Sequence, residues 1–399
     1  MNPYDIAPIL RRILNALPRT SDIVFSPGYP PKVILDGTLH AIPIRELTPL
    51  TIYQTEMLAL SLLHGKTKAM ETFTQTGSAD LSMTLEKTGR FRINIFRQRG
   101  SIAIVMRVIP TIIPTFEGLG LPEQIRNLIH LKNGIVLVTG PTGCGKSSTM
   151  AAIINLMSQE YAYHIITIED PIEFLFSRGK SMIHQRELGG DTFSFSSALR
   201  TALRQAPQVI MVGEMRDVES MNIAIEAAET GHLILSTLHT IDAAKTIERI
   251  IGVYPKEQEE LIRTRFSQTF RYILSQRLVP RADGKGRVLA MEVLKSNERT
   301  RSYVQKGPGA GGNLEEAMVD GTMDGMQTFD MELIRMFQEG IIDKNTALQF
   351  ATNPNNLNLK MGDFGGESRR QTTSKTGSSN LISDSAIRDL PVIGLDHKE

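Results

Sequence analysis

The chain has 399 residues, an ordinary apolar fraction of 41%, and a net charge of +1 from 44 basic and 43 acidic side chains. That length accommodates two folded domains, and so even a charge balance excludes a bulk field that would gather nucleic acid or anionic lipid. The single cysteine excludes a disulfide framework and an all-cysteine zinc site, and suits a reducing compartment.

Near the N-terminus Arg11 and Arg12 interrupt the only apolar run, so no signal-peptide core is expected. No stretch approaches the ~20 apolar residues of a membrane span, and Arg107 sits inside the most apolar one, 102–113. Residues 23–25 and 32–37 read as strands, the second closing on an Asp36-Gly37 turn. Apolar residues at helical spacing predict a helix over 50–63. Residues 90–109 predict a β-hairpin in which Arg90, Arg92 and Asn94 alternate with Phe91, Ile93 and Ile95. If Arg99-Gly100 is its two-residue turn, Arg92 lies opposite Arg107. Like charges in direct opposition destabilise a sheet. The pair therefore implies an anion between the guanidiniums or acids that neutralise them, unless both are ordinary solvated strand charge. Residues 1–110 thus read as a small α+β domain, and Pro110 and Pro114 bracket a linker, 111–118.

Beyond it the pattern changes to short continuous apolar runs separated by helical segments. Gly134–Thr139, Ile165–Ile168, Val209–Val212 and Leu233–Ser236 suit strands buried on both faces of a parallel sheet. The second domain, 119–355, is therefore α/β. Residues 255–279 and 314–351 predict helices, and the polar stretch 356–399 reads as a disordered tail.

The first of those runs leads straight into Gly140-Pro141-Thr142-Gly143-Cys144-Gly145-Lys146-Ser147, with Ser148 opening a helix. Strand, loop and helix in that order make this a phosphate-binding loop and the chain a P-loop ATPase. Its glycines let backbone N–H groups wrap a phosphate, and the helix N-terminus adds positive potential. Lys146 bridges β- and γ-phosphates of ATP, and the Ser147 hydroxyl ligates Mg²⁺. Glu214 ends the run Val209–Val212 through Gly213, which is a Walker-B arrangement that places negative charge beside Mg²⁺. A second run ends in Glu169-Asp170-Pro171-Ile172-Glu173. Glu169, closer to the expected phosphate position, is the candidate for accepting the proton of the attacking water, against a plain solvated turn. His232 and His239 flank the run Leu233–Ser236 as candidate γ-phosphate sensors, against two satisfied structural histidines. For Cys144 two readings stand. The helix dipole and Lys146 would lower its pKa below the usual ~8.5 and make it reactive; or its sulfur turns towards the sheet as a small filler.

In this order the phosphate loop, the acidic box Thr167–Phe174, Val212-Gly213-Glu214-Met215-Arg216-Asp217 and the histidine box Ala227–Thr240 resemble the secretion-ATPase superfamily, most nearly the PilT group of type IV pilus retraction motors. Ser21-Asp22-Ile23, the stretch 30–37 and Arg90–Asn94 agree as well. The resemblance spans about residues 5–350. It implies a PAS-like N-terminal domain joined to a RecA-like ATPase domain. It also implies a cytoplasmic homohexamer at the inner face of the inner membrane, docked on a pilus platform protein and able to work with other pilus motor ATPases. Nucleic acid is not an expected partner, and membrane contact would run through partners only. The family's Walker-A pair matches Lys146 and Ser147, its acidic-box carboxylate Glu169 and its Walker-B acid Glu214. Its histidine box matches His232 and His239, and the N-terminal arginines that complete the nucleotide site match Arg92, Arg97 and Arg107. Three stretches depart from the pattern: Cys144 in place of a small residue such as serine, Gln205-Ala206-Pro207-Gln208, and Arg299–Val304, a partly kept C-terminal motif. The second leans towards the accessory retraction paralogue, PilU. Assembly ATPases of the superfamily usually carry a longer N-terminal region and a cysteine-rich zinc insert, which this chain lacks.

Overall fold

Arg99 and Gly100 take positive φ, 48° and 73°, the twist that lets two residues join antiparallel strands. This turn sets the register of the first unit. The computed structural model describes residues 6–362 apart from 19, 36–37, 43, 45–46, 48, 87, 110–112 and 310–312. The expected Asp36-Gly37 turn, the Pro110 end of the linker and the tail beyond 362 lie outside those residues. The chain divides at residues 111–112 into two units.

The first holds β1 (Thr20–Phe25), β2 (Lys32–Leu35), β3 (Thr38–Ala41), β4 (Ser78–Leu85), β5 (Gly89–Gln98) and β6 (Ser101–Ile109). They form one antiparallel sheet in the order β3-β2-β1-β6-β5-β4. Phe91, Ile93 and Ile95 face a core shared with the helices Ile6–Ala16, Ile52–Leu63 and Thr67–Thr76. Thr51 and Gln54 close a reciprocal capping box at the start of the second helix. Arg92 does stand opposite Arg107.

The second unit holds β7 (Gly134–Thr139), β8 (His164–Glu169), β9 (Met182–Glu187), β10 (Val209–Val212), β11 (Leu233–Leu238), β12 (Phe270–Pro280) and β13 (Arg287–Lys295), in the sheet order β13-β12-β7-β11-β10-β8-β9. All neighbours are parallel except β12 and β13. Every residue of β7 is buried. Ile135 and Leu137 pack into one apolar layer, Val136 and Val138 into the other, which is what a strand covered on both faces requires.

Three expectations are corrected. Residues 270–280 form β12 rather than the end of a helix, the helix stopping at Thr269. A helix, Pro354–Gly362, occupies the beginning of the expected tail and buries Leu357 and Met361 against the last helices. Phe116, within the expected linker, is buried in the second unit's core with the Arg126 guanidinium 4.7 Å above its ring. No helix among the described residues is long and apolar enough to cross a membrane.

Candidate nucleotide site

Parallel strands point all their C-terminal ends to one edge of the sheet, and there the motifs converge. Gly140 follows β7 with φ 143°, and a Cβ on it would lie 2.5 Å from the Gln276 carbonyl oxygen and 2.6 Å from Cys144 Sγ. Gly143 and Gly145 have φ of 79° and 92° with open space where a Cβ would stand. Only glycine adopts all three conformations cheaply. The helix Lys146–Glu160 starts directly after, and no side chain caps it. Its first N–H groups are left for a ligand, with the dipole favouring an anion.

This loop opens on a cavity of about 490 Å³ lined by Lys146, Ser147, Ser148, Glu169, Glu173, Glu214 and His239, among others. Lys146 Nζ donates to the carbonyls of Gly140 at 2.9 Å and Pro141 at 3.2 Å, and lies 3.3 Å from His239 Nδ1. An ammonium only donates, so Nδ1 accepts and the ring proton falls on Nε2. Nε2 in turn lies 3.5 Å from Glu214 Oε2, which accepts from Arg216 Nη2 at 2.7 Å. Burial lowers the Lys146 pKa. Glu169, which also lines the cavity, is buried, and its Oε1 accepts from Thr167 Oγ1 at 2.6 Å and Gln185 Nε2 at 3.1 Å. Burial raises its pKa against the lowering effect of these two donors and of the Glu173 backbone N–H.

The residues fit a nucleotide and its metal. The uncapped helix start and the open cradle at Gly143 and Gly145 suit a phosphate, and a hydroxyl and a carboxylate on one wall are the hard oxygen donors that Mg²⁺ takes. Lys146, Ser147, Glu169, Glu214 and His239 are brought together. His232 is not: it precedes β11, at the opposite end of the strand that His239 follows. Six residues at ~3.3 Å each separate the ends by roughly 20 Å. There its Nδ1 lies 3.1 Å from the Ala227 carbonyl oxygen, beside a separate cavity lined by Lys132 and Tyr163. Nor is Cys144 a reactive thiol. It is 4% exposed with its sulfur against Gly140, and burial raises its pKa despite the charge of Lys146.

In the first unit Arg92, Arg97 and Arg107 are exposed on β5 and β6. Arg107 Nε donates to Asp22 at 3.0 Å, so an acid of β1 neutralises one member of the opposed pair. The Arg97 guanidinium lies 5.2 Å from the centre of the Phe73 ring. Thr167 and Arg216, which bond Glu169 and Glu214, fall inside the motifs without a role read for them, and Gln185, the other side-chain donor to Glu169, lies outside every motif. Gln185 sits in the polar run His184-Gln185-Arg186-Glu187, which carries no signal for this role.

The family model described as "Type II/IV secretion system protein" matches residues 32–323. The chain is 39% identical over 338 residues, 84% of its own length and 96% of the other's, to "Type IV pilus retractation ATPase PilT" of Pseudomonas aeruginosa. It is 38% identical over 348 residues, 87% and 89% of the two lengths, to "Type IV pilus ATPase PilU" of the same organism. The crystal structure of "the Pilus Retraction Motor PilT and Bound ADP" aligns with a TM-score of 0.80 at 41% identity, covering 88% of this chain and 99% of that one.

Proposed function

The chain belongs to the Type II/IV secretion system protein family and is an ATPase of the PilT type; we propose that it turns Mg-ATP hydrolysis at the Gly140–Ser147 loop into the retraction of type IV pili. The observation that carries this is the meeting of an uncapped helix start, Lys146, Ser147 and two carboxylates, Glu169 and Glu214, around one cavity.

Lys146 leaves the loop carbonyls to pair with β- and γ-phosphate oxygens, while the N–H groups at the head of its helix hold the β-phosphate. Ser147 and Glu214 would hold Mg²⁺, which when bound neutralises charge on the phosphates. Glu169 takes the proton of the attacking water. Its buried carboxyl binds that proton more readily than a solvated one. His239, with its proton on Nε2, sits where the γ-phosphate state can be read through Lys146 and Glu214.

In this reading the working unit is a homohexamer in the cytoplasm, docked on the inner-membrane platform protein at the pilus base. It acts beside other pilus motor ATPases, touches the membrane only through partners and does not bind nucleic acid directly. Arg92, Arg97 and Arg107 supply cations to the phosphates, and His232 serves as the far member of the histidine box. An accessory role of the PilU kind is the second reading, the chain being 38% identical to a PilU against 39% to a PilT. An accessory ring binds ATP with little turnover. Lys146→Gln decides the central point: the folded variant loses ATP hydrolysis, whereas wild-type turnover in it removes the phosphate-loop assignment.

A further inference from the structure

The side chain of Gln185 stands on β9, the edge strand, as the register partner of Thr167 on β8. Its Nε2 donates to Glu169 Oε1 at 3.1 Å and to the Phe174 carbonyl at 2.8 Å, and its Oε1 accepts from Phe176 N at 3.2 Å. Only this orientation of the amide satisfies all three groups; the flipped one would set an oxygen against a carboxylate and a carbonyl. Two residues on, Glu187 Oε2 accepts from Ile172 N at 3.2 Å. Phe174 and Phe176 line the nucleotide cavity, as do Asp170, Pro171 and Glu173 from the same segment. One amide therefore ties together Glu169 and the wall that follows it. The two side-chain donors to Glu169, Thr167 and Gln185, both use Oε1, and the Glu173 backbone N–H donates to the same carboxylate.

We propose that Gln185 is a positioning residue that fixes the base Glu169 and locks the 170–176 wall to it. This rests on the reading of Glu169 as the base. Thr167 shares the first task but not the second, because it touches Glu169 alone of these groups. The two can thus be separated kinetically. A base displaced by about 1 Å can cost on the order of 10²-fold in rate.

The test is a double-mutant cycle on the full-length protein, with melting temperature and assembly checked for each variant. Gln185→Met removes all three hydrogen bonds at nearly constant size, and Thr167→Val removes one. Both are expected to lower kcat, by roughly tenfold to a hundredfold, and only Gln185→Met is expected to raise KM for ATP as well. In a Glu169→Gln background, Gln185→Met should change the residual single-turnover rate by no more than about twofold, because residues that act as a unit are non-additive. Its effect on KM should persist there. If Gln185→Met does not fold, Gln185→Glu takes its place in the cycle, since it keeps the acceptor for Phe176 N and removes the donor to Glu169. Wild-type kcat in the Gln185 variants, or an equal loss with and without Glu169, overturns the proposal. Wild-type kcat in Glu169→Gln alone would instead remove the base assignment beneath it.

Discussion

Glu292→Gln is expected to change how the ATPase unit's stability depends on pH. Glu292 lies on β13 at 5% exposure, and its Oε1 accepts from Ala243 N at 2.8 Å. Burial, helped by the charge of Asp242 and opposed by the Ala243 N–H and by Arg277, pushes its pKa up from 4.5 to about 7. The folded protein therefore holds this proton more tightly than the unfolded chain does. The resulting stabilisation is fully present below pH 4.5 and is lost as pH rises through about 7. A rise of that size, at ~1.36 kcal/mol per unit, corresponds to about 3 kcal/mol. Glutamine keeps the acceptor for Ala243 N and the volume but cannot titrate. Relative to wild type, the variant should gain stability as pH rises, reaching a difference on the order of 5–10 °C in melting temperature near pH 8. The assay is thermal unfolding of both proteins from about pH 5 to about pH 8. Parallel curves would refute the reasoning, because they would mean that Glu292 keeps an ordinary pKa or titrates identically in both states.

The two cavity acids should fail differently: Glu169→Gln should retain Mg-ATP without turnover, and Glu214→Gln should need far more Mg²⁺. Single-turnover rates and Mg²⁺ titrations that show the reverse would exchange the roles. Cys144→Ser should hydrolyse ATP normally, and maleimide should label the native wild-type chain slowly, since the thiol is buried and its pKa raised. Rapid stoichiometric labelling of the folded protein would contradict the loop geometry. Arg92→Ala and Arg107→Ala should cut turnover strongly, an arginine acting on a transferring phosphoryl group being worth up to ~10³–10⁵ in rate. Removing the exposed Arg107–Asp22 pair should cost no more than about 1 kcal/mol of stability. Full activity in both variants would make these arginines surface charge.

What the sequence reveals depends on how local the determining forces are. The phosphate loop is legible because its chemistry needs Gly-Lys-Ser at fixed spacing between strand and helix. β7, β8, β10 and β11 are legible because burial on both faces leaves continuous apolar runs. The Arg92–Arg107 register follows from the turn at Arg99-Gly100. β12 is misread because Phe270, Ile273, Leu274 and Leu278 fall at helical spacing; only pairing with β7 and β13, distant in sequence, makes it a strand. β9 escapes because Met-Ile-His-Gln-Arg-Glu carries no apolar run, and Gln185 escapes with it. His232 and His239 look equivalent in sequence, yet they stand at opposite ends of one strand and only His239 reaches the loop. Cys144 depended on which way a loop side chain turns, which no spacing encodes.

Pilus retraction in cells is the most direct test of the motor assignment. In a strain lacking this chain, complementation with the wild-type protein should restore retraction, seen as shortening of labelled pili and as twitching. Lys146→Gln, made in equal amount, should leave pili extended. Retraction with Lys146→Gln equal to wild type, or retraction unaffected by the loss of the chain, would contradict it.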